Sequence, residues 1–290
     1  MLNLKILRRR IASVKSTQQI TRAMYMVAAA RLRRAQERIL SARPYADKMR
    51  EVVESLYLRA ERPYHPLFAK RELRRVELFL ISTDRGLCGS YNQNLFRRVE
   101  RFLKEGEGKY EEVSLCILGR KGWDYFRRRI PDRIKRTYVE KFRVLDYGVA
   151  QTLAKELMED FLKEGVDGVF LAYNFFRSPV IQRPTIVQLL PLEAPEPEPG
   201  LYPVEHLYEP SPMEIFSELL PRFVEVQVYR ALLEHVAGEF GARMTAMDNA
   251  TKNAQDLIDK LTLLYNKARQ ASITKEVIEI ATGAEALKQR

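Results

Sequence analysis

The sequence predicts an α/β fold: a central, mostly parallel sheet combined with a long antiparallel coiled coil formed by the N- and C-terminal helices. Heptad series of apolar or small residues near both ends of the 290-residue chain predict the coiled coil. Short apolar runs that alternate with helical segments predict the sheet. We therefore divide the chain into an N-terminal helix (1–60), an α/β domain (73–195), a proline-rich linker (196–210) and a C-terminal helix (211–290).

The N-terminal helix carries two interleaved series with a spacing of seven, over residues 4 to 53 and 7 to 56. A repeat of 3.5 residues that is kept over many turns turns one seam toward a partner helix and predicts a left-handed supercoil. Many seam positions are alanine, so a partner can approach closely, and Gln18 and Thr21 are the polar members. Pro44 is expected to bend this helix because it removes an amide donor.

The C-terminal helix repeats the heptad pattern over residues 216 to 265. Ser211 is suited to cap its first amides, and Glu214 completes a capping box. Pro221 is expected to bend it. Because neither helix could be stable alone with so narrow an apolar stripe, we expect them to pair antiparallel, with the longer C-terminal helix extending past its partner.

The middle of the chain has the β-α-β alternation of a largely parallel sheet. The predicted strands span 76–82, 113–118, 169–173 and 185–190, and the last of them is expected to pair antiparallel to the third. The predicted helices span 92–104, 122–129 and 146–163. Seven of the 14 prolines then follow between Pro191 and Pro212, which predicts a stiff, extended connection.

The sequence contains few features that are typical of catalytic or ligand-binding sites. There is no GxxxxGK[ST] loop, and His65, His206 and His235 lie far apart without metal-ligand spacing. The glycine-containing turn 82–92 could present a nucleophile, but a structural turn is favoured. Cys88 and Cys116 are expected to be buried thiols. We therefore predict no catalytic residue, cofactor or metal site, with an α/β enzyme carrying helical arms as a rival interpretation.

The net charge of +11 is concentrated in residues 1–60, where 14 basic residues face 4 acidic ones. A basic stripe of this kind could bind nucleic acid, so a coiled-coil nucleic-acid-binding protein is the alternative function. Its side chains could equally follow an acidic protein surface. They are expected on the outer faces of the helix, at Arg8, Arg9, Arg31, Arg33 and Arg34. No apolar run reaches the roughly 18 residues of a membrane span.

Three long motifs resemble the gamma subunit of F-type ATP synthase, and the resemblance covers essentially the whole chain. The first comprises RIASV at 10–14 with QITRAMYMVAA at 19–29. The second is DRGLCG at 84–89. The third, ARMTAMDNATKNA at 242–254, continues through YNKARQASIT at 265–274. Gly238 and Gly241 depart from the pattern and are expected to loosen the C-terminal helix just before the third motif.

The resemblance implies a non-catalytic central-stalk rotor that couples proton-driven rotation of a membrane ring to ATP synthesis or hydrolysis in catalytic beta subunits. Its partners would be the alpha, beta and epsilon subunits and the c-subunit ring, with no nucleic acid. It would be a peripheral protein on the cytoplasmic face of the bacterial membrane. The matching positions expected to contact alpha and beta subunits are Arg8, Arg9, Met24, Arg33, Arg34, Arg243, Arg269, Gln270 and Thr274.

Overall fold

The structure, a computed structural model, describes residues 4–59, 65–142, 144–163, 165–193 and 211–288. It separates into two compact units. The helical unit contains residues from Met1–Ala28 and Met244–Arg290, and the α/β unit is Ala29–Arg243. The predicted linker 196–210 lies outside the described residues, and the division into four segments stays a prediction.

Two very long helices flank five strands and three shorter helices. In chain order the elements are α1 (Leu4–Arg59), β1 (Arg75–Ile81), α2 (Tyr91–Glu105), β2 (Glu112–Leu118), α3 (Arg120–Phe126), β3 (Ile134–Tyr138), α4 (Tyr147–Leu162), β4 (Gly168–Phe176), β5 (Gln182–Leu190) and α5 (Pro212–Lys288), with short 3₁₀ turns at Pro66–Phe68 and Pro131–Arg133. All four predicted strands and all three predicted inner helices are present, with shifts of a few residues at their ends.

The sheet has the strand order β3-β2-β1-β4-β5. Its first four strands pair in parallel, while β5 pairs antiparallel to β4, which confirms the predicted mixed sheet. Parallel neighbours need a crossover of a dozen or more residues, and α2, α3 and α4 lie in these connections. The fold class is therefore the one that the sequence predicts.

Strand β3 was not predicted, because it lacks an apolar run. It lies at the edge of the sheet, and a register shift opposite Leu115 and Cys116 leaves Lys135 outside the regular pairing. As a result, two successive basic side chains reach one buried carboxylate. Lys135 Nζ lies 2.7 Å and Arg136 Nη2 lies 3.1 Å from the carboxylate of Glu77, which is fully buried.

Each face of the sheet has its own hydrophobic core. On one face, alternate residues of β1 and β2 pack against α2 and α3, with Phe96 and Phe126 among the buried rings. On the other face, Phe79 and its neighbours pack against α4, the end of α1 and the first turns of α5. Because α5 contributes Phe216 and Leu220 to this core, its first part belongs to the α/β unit.

The two long helices run through their prolines. Pro44 lies inside α1 and Pro221 inside α5, and the predicted bends stay predictions. At the start of α5, the amide of Glu214 donates a hydrogen bond to Ser211 Oγ over 3.2 Å. This bond satisfies one of the free amides of the first turn, as the capping motif predicts.

Gly119, between β2 and α3, lies in close contact with Ser82 at the end of β1, and a substitution tests this contact. A Cβ at this position would lie 2.0 Å from the Ser82 carbonyl oxygen, and the φ angle is +96°. We expect Gly119→Ala to lower the free energy of unfolding by more than about 3 kcal/mol. The fluorescence of Trp123, the only tryptophan, reports this unfolding in urea.

Gly108→Ala is the matched control. Gly108 also has a positive φ, +81°, but nothing lies within 4 Å of the added Cβ. Only backbone strain remains, so the expected loss is about 1–2 kcal/mol. Equal losses in the two variants would contradict a steric role for Ser82.

Candidate functional site

In the helical unit, α1 and α5 pair side by side in opposite directions. Gln18 Nε2 donates to Gln255 Oε1 over 2.8 Å, and the hydroxyl oxygens of Thr21 and Thr251 are also 2.8 Å apart. Moving forward from 18 to 21 along α1 therefore moves backward from 255 to 251 along α5. The two polar members of the predicted seam form these cross-helix bonds, and the pairing confirms the antiparallel coiled coil.

This register leaves the end of α5 without a counterpart in the described part of α1. Leu4, where α1 begins, precedes Gln18 by as many residues as Arg269 follows Gln255. The side chains of Arg269, Gln270 and Thr274 are exposed. Exposed large apolar side chains follow in the same stretch: Ile273, Val277, Ile278 and Ile280. Such a surface is typical of a helix that packs against another protein.

The remaining predicted contact residues of the helical unit lie on α1. Arg8 and Arg9 are exposed, while Met24 is half-buried. Ile20, Met26 and Val27 are more than half exposed, so the basic positions are interleaved with apolar ones. The surface can therefore form both ionic and apolar contacts.

In the α/β unit, Arg33 and Arg34 are both exposed on α1. Arg33 forms an exposed ion pair with Glu37 at 3.2 Å, which contributes little to stability. Arg34 lies at a cavity of about 470 Å³ beside the ends of β1 and β2, where Asp84 and Glu239 also line the wall. The two neighbouring arginines therefore have different surroundings.

Arg243 is the one predicted contact residue that is held inside the chain. Its Nη2 lies 2.6 Å from Glu239 Oε1 and donates to the Gly86 carbonyl oxygen over 3.2 Å. Its guanidinium lies 5.6 Å from the centre of the Phe240 ring, and the guanidinium of Arg31 lies 5.5 Å from the same ring. Arg243 thus ties α5 to the DRGLCG turn, and its contact with a partner stays a prediction.

A buried hydrogen-bonded cluster holds α5 against the sheet one and two turns before Arg243. Tyr91 Oη donates to the His235 carbonyl oxygen over 3.0 Å and lies 3.2 Å from His235 Nδ1. Asn174 Nδ2 donates to the Tyr91 carbonyl oxygen over 3.2 Å. All three side chains are buried. We call Tyr91, Asn174, His235, Glu239 and Arg243 the α5 anchor.

Gly238 and Gly241 allow α5 to approach this closely. A Cβ on Gly238 would lie 3.0 Å from both Cε2 and Oη of Tyr91. A Cβ on Gly241 would lie 3.1 Å from the backbone of Pro179. The helix continues through both glycines, so their function in the structure is close packing.

The anchor lies where an open α/β sheet usually binds its ligand. The strand order reverses between β1 and β4, and ligands of such sheets bind outside the carboxyl ends of the strands at that point. Here Tyr91 follows the β1 turn and bonds to His235 of α5, while Asn174 of β4 donates a hydrogen bond to Tyr91. In the described part of the chain, the crevice is thus filled by the protein's own helix.

Burial controls the protonation of the anchor. Desolvation lowers the pKa of His235 to about 4 and raises that of Tyr91 well above its usual range. Burial also raises the pKa of Glu239, although the Arg243 guanidinium opposes this change. At neutral pH, His235 is therefore neutral and can share a hydrogen bond with the Tyr91 hydroxyl. The site is a mechanical attachment without a group poised for proton transfer to a substrate.

The described ranges contain no group of three or more His, Cys, Asp or Glu side chains placed to hold a metal ion. Among the described helices, none is both long and apolar enough to span a bilayer. Cys88 and Cys116 are buried thiols, as predicted, and burial raises the pKa of Cys116 to about 12.

Comparison with known proteins identifies the family. A family model described as ATP synthase matches residues 3–287. An ATP synthase gamma chain of Geobacter sp. strain M21 is 48% identical over 288 residues, which cover 99% of this chain and all of the relative. One of Anaeromyxobacter sp. strain Fw109-5 is 49% identical over 289 residues, 99% of each chain. The chain belongs to the ATP synthase gamma chain family.

Solved structures of more distant proteins share the fold. A chain of the Euglena gracilis mitochondrial ATP synthase rotor has a TM-score of 0.67 at 19% identity, with 93% of this chain and 98% of that chain covered. A chain of the central stalk and c ring from Tetrahymena thermophila has a TM-score of 0.62 at 24% identity, with 80% and 99% covered. Membership in the gamma chain family makes this chain a non-catalytic subunit, and it gives no support to the nucleic-acid alternative.

The depressed pKa of His235 predicts a pH effect on stability. Between its ordinary value of 6.5 and about 4, the unfolded chain binds a proton that the folded chain does not. The free energy of unfolding therefore has its full value, as far as His235 is concerned, above pH 6.5. It falls with decreasing pH, and this residue lowers it by up to about 3 kcal/mol. Urea unfolding at several pH values, with His235→Asn as reference, isolates the contribution of His235 from that of Glu239. If the free energy of unfolding changed with pH in the same way in both proteins, a contribution of His235 would be excluded.

The close approach of Gly238 to Tyr91 predicts a coupled pair of substitutions. Gly238→Ala should destabilise by about 1–2 kcal/mol, because the hydrogen-bonded tyrosine cannot move away from the added methyl group. In a Tyr91→Leu background the same change should be nearly neutral, so a double-mutant cycle should give a coupling of about 1 kcal/mol. Gly283→Ala, in an open position of the same helix, is the control and should not destabilise. Additive effects of Gly238→Ala and Tyr91→Leu would contradict the packing argument.

Proposed function

We propose that the chain is the central-stalk rotor of a bacterial F-type ATP synthase, and that it couples proton-driven rotation of the c-subunit ring to ATP synthesis or hydrolysis in the beta subunits. The observation that carries this proposal is the uncovered end of α5. There, Arg269, Gln270 and Thr274 are exposed beside four exposed aliphatic side chains, in a family whose members are named ATP synthase gamma chains.

The chemistry of the exposed surfaces suits alpha and beta subunits as partners. Arg8, Arg9, Arg33 and Arg34 offer guanidinium groups that can pair with acidic loops in a bidentate way. Met24 and the uncovered end of α5 offer apolar contact instead. We infer that ionic contacts set the rotational position and that apolar contacts bear on the surrounding ring.

Asymmetry explains how such contacts can act on catalysis. A single rotor inside a ring of alternating alpha and beta subunits cannot contact all beta subunits alike, so each angle favours a different set of beta conformations. Moving one subunit almost completely between two states requires a contact difference of about 5.5 kcal/mol. A few ionic and packing contacts acting together can supply this. Because such coupling is reciprocal for binding, hydrolysis can turn the rotor in the opposite sense.

The α/β unit is the part that we assign to the membrane side of the complex. The Tetrahymena chain with the same fold comes from a central stalk and c ring. By analogy, the α/β unit would stand on the c ring beside the epsilon subunit, at the cytoplasmic face of the cell membrane. The α5 anchor then provides the rigid attachment that torque requires, since its bonds tie α5 to Tyr91 at the start of α2, through Tyr91 to Asn174 of β4, and to the DRGLCG turn.

Truncation after Asn266 tests the proposal. It removes Arg269, Gln270, Thr274 and the apolar end, but leaves the Gln18–Gln255 and Thr21–Thr251 pairs intact. We expect the variant to assemble with alpha and beta subunits and to support ATP hydrolysis, with several-fold less proton pumping per ATP hydrolysed in reconstituted membranes. The reason is that the contacts that distinguish one beta subunit from another are lost.

Truncation after Thr282 is the matched control, because it shortens α5 but keeps residues 269–274. It should pump protons like the full chain. The full chain alone should hydrolyse no ATP. Full coupling in the shorter variant, or failure of the full chain to assemble with alpha and beta subunits, would remove the proposed role.

A further inference from the structure

A large cleft in the α/β unit lies apart from the α5 anchor. It has a volume of about 980 Å³ and is bounded by the middle of α1, the first third of α5 and the end of β4. Ligand sites for small molecules have volumes of roughly 300–1,000 Å³ and mainly apolar walls. This cleft has such walls, since Ile39, Leu40, Val226 and Leu233 line it.

Aromatic rings form much of the remaining wall. Tyr45, Tyr147, Phe175, Phe176 and Tyr229 all line the cleft, and Tyr147 and Tyr229 meet edge to face with centroids 5.5 Å apart. Tyr45 and Leu40 are more than half exposed, although both are large and apolar. Rings arranged in this way favour a planar ligand that can stack on them.

Glu234 is an unexplained charged group in the wall of this cleft. Its side chain is 7% exposed, and Oε1 accepts a hydrogen bond from Arg230 Nε over 3.1 Å. Its other oxygen, Oε2, is buried and has no hydrogen-bond partner among the described residues. A buried acceptor without a partner costs about 1–3 kcal/mol, and more when charged. A ligand that brings an N–H or O–H donor to this oxygen would remove that cost.

Basic side chains line the cleft in addition to the acidic Glu234. Arg43, Arg50 and Arg177 line the cleft in addition to Arg230. Within the described ranges, none of these three forms a salt bridge shorter than 4 Å with a carboxylate. Only Asp47 and Glu234 oppose them on the cleft wall. Guanidinium groups bind carboxylate and phosphate in a bidentate way, so an acidic ligand group fits this part.

We propose that the cleft binds a purine nucleoside monophosphate, with the phosphate at the arginines, the base against the aromatic rings and a ring or exocyclic N–H at Glu234 Oε2. Each part of this ligand class answers one feature of the wall: an anion for the arginines, a planar ring for the tyrosines and phenylalanines, and a donor for the unpartnered carboxylate. The cleft is separate from the surfaces assigned to alpha and beta subunits, so this inference does not rest on the rotor function.

Equilibrium dialysis of the isolated full chain with GMP and, separately, AMP tests the proposal without the nucleotide sites of other subunits. We expect saturable binding of one nucleotide per chain at submillimolar concentration. Guanosine, which lacks the anion, and inorganic phosphate, which lacks the ring, should each bind at least about tenfold more weakly. Absence of saturable nucleotide binding up to millimolar concentration would overturn the proposal.

Variants separate the cleft from non-specific binding to a basic protein. Arg43→Gln at the exposed wall and Glu234→Gln inside it should each weaken nucleotide binding about tenfold. Arg22→Gln and Glu218→Gln change exposed residues of the same helices outside the cleft and should leave binding unchanged. Because Arg43 is exposed, its variant keeps the test valid even if Glu234→Gln affects folding. Equal binding by Arg43→Gln and Arg22→Gln would show that general positive charge holds the nucleotide.

Discussion

The close contact between α5 and the carboxyl edge of the sheet is the constraint on which the rest of the structure depends. At Gly238 and Gly241, the helix backbone lies so near to Tyr91 and Pro179 that even a methyl group would be crowded. This contact fills the crevice where a sheet of this topology would otherwise bind a ligand. This one packing contact thus removes a conventional nucleotide site from the sheet and creates a rigid attachment for a long helix.

Two buried carboxylates, one in the sheet and one on α5, are each paired with basic side chains. Glu77 inside the sheet is compensated by Lys135 and Arg136, and Glu239 on α5 is compensated by Arg243. Buried ion pairs add little net stability, but removing one partner is costly. We infer that these pairs fix geometry: the first holds the edge strand β3 in its bulged register, and the second fixes α5 against the Gly86 turn. Glu234 is the exception, because one of its oxygens has no such partner among the described residues.

Periodic patterns made most of the fold predictable, while single-residue chemistry decided the parts that were not. Heptads identified both long helices, and apolar runs identified four strands. Strand β3 was missed because Lys135, Arg136 and Thr137 separate its two apolar residues, so the sequence has no apolar run there to detect. The predicted contact residues were chosen from motif and charge, and their contact with a partner stays a prediction. The anchor did not, since Tyr91 and His235 are 144 positions apart and only the folded chain brings them together. Nothing in the sequence distinguished the buried surroundings of Arg243 from the exposed ones of Arg269.

The change of environment along α5 is what relates this fold to its function. Up to Arg243, the helix is held by a buried tyrosine, a neutral histidine and an ion pair, so local motion there is costly. After the paired seam with α1, the same helix carries side chains that nothing in the described chain covers. Burial of these uncovered apolar and planar polar groups by a partner lowers the free energy of the complex. A helix that is fixed in one part and uncovered in another can therefore have its position shifted by the partner that covers it. Reciprocity requires that it bias the partner by the same free energy, which is the physical content of coupling without catalysis.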